Sequence, residues 1–220
     1  MNITGISRQL AEVSSFAGML PLVVGLLRRS WTHPLSLIVL LVAGITLGVE
    51  QTALSLWHQG KNNLWVYHLL APIEIILWLW FYQKVLWAQS PKWLWGIAVV
   101  MVVGLAMGNS IWLQNPFQGQ FNSHVTTFLA LLMILLAITY FIQQLRSPAA
   151  GNQSFLLLVN SSHLLYYSGA LFLFFAFQTI QGDSKVTSIL FILNSTFNIL
   201  RMTLLAFALW LKPQPLRNHS

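Results

Sequence analysis

The sequence predicts an all-α integral membrane protein: a seven-transmembrane-helix bundle forming one polytopic domain over residues 1–220, amino terminus outside and carboxy terminus cytoplasmic. Three observations predict it. Of the 220 residues, 56% are hydrophobic and 7% are charged, against about 25% charged in a soluble domain. Mean hydropathy is +0.69. The apolar residues fall in seven runs, each near the roughly 20 residues a helix needs to cross a hydrocarbon core of about 30 Å. Backbone amides cannot be left unpaired in lipid, so each run must be a helix.

The predicted spans are 9–27, 35–56, 64–83, 93–113, 124–145, 154–179 and 187–211. The first is the most polar, with Glu12, Ser14, Ser15 and Pro21, and is expected either to cross or to lie partly in the interface. No small-residue cleavage site follows Arg28-Arg29, so it is expected to be retained rather than removed as a signal peptide. The second is bounded by Trp31 and Trp57. In the third, Pro72 removes a backbone donor and predicts a kink. Trp93 and Trp112 bracket the fourth, and Arg146 closes the fifth. The sixth carries Ser161, Ser162, Ser168 and Gly169, small residues that let helices approach closely. Pro213 and Pro215 stop the seventh.

Basic residues set the predicted orientation. Arg28, Arg29, Lys84, Lys92, Arg146, Lys212 and Arg217 fall on one side, and Arg8, Lys61 and Lys185 on the other. Seven against three places the first side in the cytoplasm. Tryptophans agree: Trp31, Trp87, Trp93, Trp95 and Trp210 gather at the inner interface, and Trp57, Trp65 and Trp112 at the outer, where an indole is half wetted. Trp78 and Trp80 fit this belt poorly. The expected location is a bacterial cytoplasmic membrane, with the lipid bilayer as partner. The net charge of +7 reads as topology, so nucleic acid is not an expected partner. The long connection from Gly108 to Ser123 is uncharged and rich in Asn and Gln; it reads as a solvated loop, with a cap over the outer mouth as the alternative.

Polar residues inside a membrane are costly and mark candidate sites. On the third span Tyr67 and Glu74 share a face with Asn63, because offsets of four and seven residues return to one side of a helix. On the sixth, Asn160, His163 and Tyr167 form a stripe. On the seventh, Asn194, Asn198 and Arg201 do the same. At 1.5 Å per residue, Glu74 lies about 15 Å from the outer surface, Asn198 about 17 Å, Tyr167 about 18 Å and Arg201 about 21 Å, with His163 close to the level of Arg201. Arg201 is always charged, and Glu74 is the only acid at its depth. Glu74, Arg201, His163 and Asn198 are therefore expected to form one hydrogen-bonded cluster. Nearer the outer surface, Glu50 and His68 lie level and can pair across two antiparallel helices, with a plain interfacial contact as the favoured reading.

No cofactor is expected. A retinal imine would need a lysine deep in the last span, where Lys185 and Lys212 lie only at its ends. Seven-helix zinc hydrolases carry an HxxxH pair in the last helix; here Asn194 and Asn198 hold that spacing, and His68, His124 and His163 lie at unequal depths, so no metal site is expected. No catalytic residues stand out. The expected function is a non-enzymatic, receptor-like sensor that binds a small or lipidic ligand and signals through a membrane or cytoplasmic partner. The alternatives are a proton-coupled small-molecule transporter and, third, an intramembrane enzyme acting on a lipid.

Overall fold

A computed structural model describes residues 3–146, 154–179 and 184–211. It contains eight α-helices and no strand among the described residues: α1 (Ile3–Ser15), α2 (Met19–Leu27), α3 (Pro34–His58), α4 (Trp65–Leu86), α5 (Lys92–Gly108), α6 (Ser123–Arg146), α7 (Ser154–Thr179) and α8 (Ser184–Leu211). Seven segments, counting α1 and α2 as one, are long and apolar enough to cross a membrane. Lys212 and Arg217 lie outside the described residues.

The first segment departs from expectation. It begins at Ile3 rather than residue 9 and is broken in the middle. Pro21 has no amide hydrogen for the Ala17 carbonyl, and its ring crowds that carbonyl. The chain instead makes tight turns, Met19 N–H donating to Phe16 and Leu20 N–H to Ala17. Gly18 in the break lies against α3: a Cβ there would meet the Ala43 carbonyl and Leu47 Cβ at 3.1 Å. Of the polar residues that made this run look interfacial, Glu12 stays partly exposed and pairs with Arg8, while the serines point inward. Ser7, Ser14 and Ser15 are buried, and Gln51 of α3 donates to both the backbone and the hydroxyl of Ser15.

The helices close a ring. The α1–α2 pair packs on α3 and α8, α3 on α4, α4 on α6, α6 on α7, and α7 most extensively on α8. That last contact depends on Gly169, where any Cβ would lie 2.6 Å from the Phe197 ring. The remaining helix, α5, packs mainly on α4 and turns Trp93, Ile97, Val100, Met101 and Leu105 outward. The His33 ring accepts the Leu35 amide hydrogen and caps the amino-terminal end of α3, just before Pro34. The Arg28 guanidinium sits 4.8 Å from the Trp210 ring.

The ring interior is filled by large side chains. Trp78, Phe81, Tyr82 and Met133 have no exposed surface and Arg201 has 1%. Trp78 is thus a core residue, and the belt it failed to fit was the wrong frame for it. Trp80 faces outward, with Lys84 Nζ 5.7 Å from its ring.

The connection between α5 and α6 is not a plain loop. Asn109–Leu113 forms a π-helical turn and Pro116–Gln118 a short 3-10 turn. Asn109 is buried and its carboxamide donates to Gln114 and Asn122, while its oxygen meets His124 Nδ1 at 3.0 Å. Gln114 also donates to the Ser123 hydroxyl, and the Gln120 carboxamide oxygen accepts from the Asn115 amide. This carboxamide cap folds onto the start of α4 through Asn62, which donates to the Pro116 carbonyl, and through His68.

Candidate functional site

Arg201 and Glu74 meet in the ring interior. Arg201 Nη2 donates to Glu74 Oε1. The same oxygen accepts from the Tyr167 hydroxyl at 2.7 Å and from Trp78 Nε1 at 3.2 Å. Arg201 Nη2 also donates to the Tyr167 oxygen at 3.1 Å. Tyr166 and Tyr167 flank the guanidinium, with ring centres 4.5 and 5.1 Å from its carbon. Glu74 is 6% exposed and Arg201 1%, so both charges are desolvated and compensate one another across the pair.

The backbone geometry explains the reach. α4 and α8 are not packing neighbours; they stand on opposite sides of the ring, and the long arginine side chain spans the interior. Tyr167 on α7 and Trp78 on α4 complete the donor set, tying together three helices that share one short stretch of interior.

Two expected members of the cluster lie elsewhere. Asn198 turns toward α1 and donates to the Ser14 hydroxyl at 3.0 Å and to its carbonyl at 3.3 Å. It therefore fastens the broken first segment to α8 rather than serving the ion pair. Its angle, about 60° from Arg201 at 100° per residue, carries it to the next interface. Asn194, one turn earlier and half-buried, takes no part in the ion-pair hydrogen bonds. His163 is fully buried and close to the pair without bonding it. Its ring stands edge-on to Trp78 at 4.1 Å and 5.8 Å from Tyr167.

His163 belongs instead to a second set one turn deeper. Tyr82 on α4 lies between Asn160 and His163 on α7, with its hydroxyl 2.7 Å from Asn160 Oδ1 and 2.9 Å from His163 Nδ1. Trp78 divides the two sets and touches both, through its N–H to Glu74 and its ring face to His163.

The outer pair also differs from expectation. Glu50 does not bond His68. Its Oε2 accepts from Tyr67 at 3.1 Å, and it lies within electrostatic range of Glu74. His68 is buried beneath the cap, with Nδ1 3.1 Å from the Ser110 hydroxyl and Nε2 3.0 Å from the Gln120 carbonyl. Tyr67 rather than His68 faces α3 and meets Glu50.

Sequence reasoning missed Trp78, Tyr82, Tyr166 and Ser14. The first two had a signal: Glu74, Trp78 and Tyr82 repeat every four residues and mark one stripe. Tyr82 was overlooked because it lies close to the end of its span, and Ser14 because serines in a helix are unremarkable without a known neighbour.

Among the described residues no three His, Asp or Glu side chains come together as metal ligands. An apolar groove of about 830 Å³ runs along the outside of the α7–α8 contact, lined by residues including Leu165, Ser168, Phe172, Leu193 and Phe197. Compared with protein-family models, with curated proteins and with solved structures, the chain matches none.

Proposed function

We propose that the chain is a receptor-like membrane bundle, non-enzymatic, whose resting state is locked by the Glu74–Arg201 pair, and which passes a ligand-induced change to a partner protein. Its amino terminus lies outside and its carboxy terminus in the cytoplasm of a bacterial membrane, as the basic residues Arg28, Arg29, Lys84 and Arg146 on one face favour.

The observation that supports this reading most is the placement of the pair. It joins α4 to α8 across the interior, where their backbones do not otherwise pack. A small or lipidic ligand that engaged either partner would release one side of the ring from the other, a discrete change of packing rather than a gradual one. Tyr166 and Tyr167, which flank the guanidinium, and the bonded Tyr67 and Glu50 are the groups such a ligand would meet. Short connections at the cytoplasmic face leave the output to a partner.

The chain has no cysteine, which makes the test direct. Spin labels at Gln83→Cys and Leu211→Cys report the separation of α4 and α8 in lipid nanodiscs. A locked ring gives one narrow distance distribution, and Glu74→Gln broadens it or shifts it outward. An unchanged distribution in both Glu74→Gln and Arg201→Gln removes the lock and this reading with it.

One observation favours a second reading. Glu50 is a half-buried carboxylate with a tyrosine partner and no cation bonded to it. That is the chemistry of a proton-coupled carrier. Solute counterflow in proteoliposomes, lost in Glu50→Gln, distinguishes the carrier from the receptor.

A further inference from the structure

The hydrogen bonds around Tyr82 fix where its protons lie. Asn160 Nδ2 donates to the Leu156 carbonyl at 2.8 Å, which orients the carboxamide with Oδ1 toward Tyr82. The Tyr82 hydroxyl donates its one proton to that oxygen. Toward His163 it can therefore only accept, and the proton in the 2.9 Å contact belongs to Nδ1. A neutral imidazole protonated at Nδ1 presents a bare lone pair at Nε2.

That lone pair is buried on a side chain with no exposed surface and has no protein partner. A second group near the same tyrosine has complementary chemistry. Arg201 Nε–H is a donor, on a side chain 1% exposed, and it too has no protein partner. Both residues flank the Tyr167 ring: the His163 ring centre is 5.8 Å from it and the Arg201 guanidinium carbon 5.1 Å. Leaving a buried acceptor and a buried donor unmet costs the desolvation of each.

The two leftovers specify the chemistry of what meets them. A cation bound at Nε2 would face the guanidinium, and an anion bound at Nε–H would face the lone pair. A neutral hydroxyl satisfies both, its hydrogen on Nε2 and its oxygen accepting from Nε–H. We propose that His163 Nε2 and Arg201 Nε form a binding site for a hydroxyl group, supplied by a buried water or by a membrane-soluble alcohol. Its occupant links the ion pair to the Tyr82–Asn160 set and holds His163 in the Nδ1–H form.

Solid-state NMR of the full chain, ¹⁵N-labelled at histidine, in phosphatidylethanolamine–phosphatidylglycerol nanodiscs tests the site. The expected result is a His163 signal of the Nδ1–H form whose Nε2 receives polarisation from a hydroxyl proton. Transfer that disappears in D₂O, with no contact to non-exchanging carbon-bound protons of a bound molecule, identifies water. Transfer accompanied by contacts to non-exchanging carbon-bound protons, absent from labelled lipid, identifies an alcohol. A His163 protonated at Nε2, or an Nε2 with no hydroxyl proton near it, overturns the proposal and leaves the α4–α8 pair and the receptor reading standing. Tyr82→Phe supplies an independent check: with the Nδ1–H acceptor gone, the Nε2–H form becomes populated, and a tautomer unmoved by that change counts against the assignment.

Discussion

The interior layer at Glu74 and the cap at Asn109 are both polar networks in an apolar protein, and they are built in opposite ways. The interior layer is charged and concentrated: one carboxylate oxygen takes three donors, from Arg201, Tyr167 and Trp78. The cap is neutral and distributed: Asn109, Gln114, Gln120, Asn122 and His124 exchange many ordinary bonds, and several of these residues reach the surface. Where water is excluded, a single loss has no substitute. At the surface, water replaces what a mutation removes. The difference predicts brittleness in one region and tolerance in the other.

The largest effect is expected from removing one charge. Arg201→Met or Glu74→Leu leaves the other charge buried without its partner and should cost about 3–5 kcal/mol, read as loss of folded protein and a lowered unfolding midpoint in detergent. The double variant Glu74→Leu/Arg201→Met should recover much of that loss. Additive single effects would mean the two residues do not act as a pair.

Tyr82→Phe comes next. It strips partners from Asn160 Oδ1 and His163 Nδ1 in a fully buried but uncharged set, for which about 1–3 kcal/mol is expected. A cost equal to that of Arg201→Met would show that burial alone, rather than charge, sets the brittleness.

Asn109→Ala, at the hub of the cap, should cost about 1 kcal/mol. Its effect should stay local, visible as faster amide exchange over residues 109–124 with the rest unchanged. Asn62→Ala removes an exposed contact to the Pro116 carbonyl and should fall within about 0.5 kcal/mol of wild type. A destabilisation by Asn62→Ala as large as that by Tyr82→Phe would erase the distinction between the regions.

The ion pair could be read before the fold because two constraints were already severe. Arg201 must be compensated, and only Glu74 stood at its level. Asn198 shows where that reasoning stops. The spacing put it in one stripe with Arg201, yet its partner is Ser14, on a segment whose packing against α8 no periodicity discloses. Glu50 and His68 fail in the same way: read as level, they take different partners, Tyr67 for one and the Ser110–Gln120 cap for the other.

Hydropathy and the fixed rise of a helix determined which segments are long and apolar enough to cross and how far along its helix each polar group lies, since both are properties of a single helix. Tertiary structure alone decided who faces whom: α4 opposite α8, α1 against α8, α5 left on the outside. Lipid tails are as apolar as leucine, so helix order is not chosen by hydrophobicity. It is chosen by side-chain fit and hydrogen bonding between helices, such as Gly169 beneath Phe197 and Asn198 on Ser14, which exist only once the ring has closed.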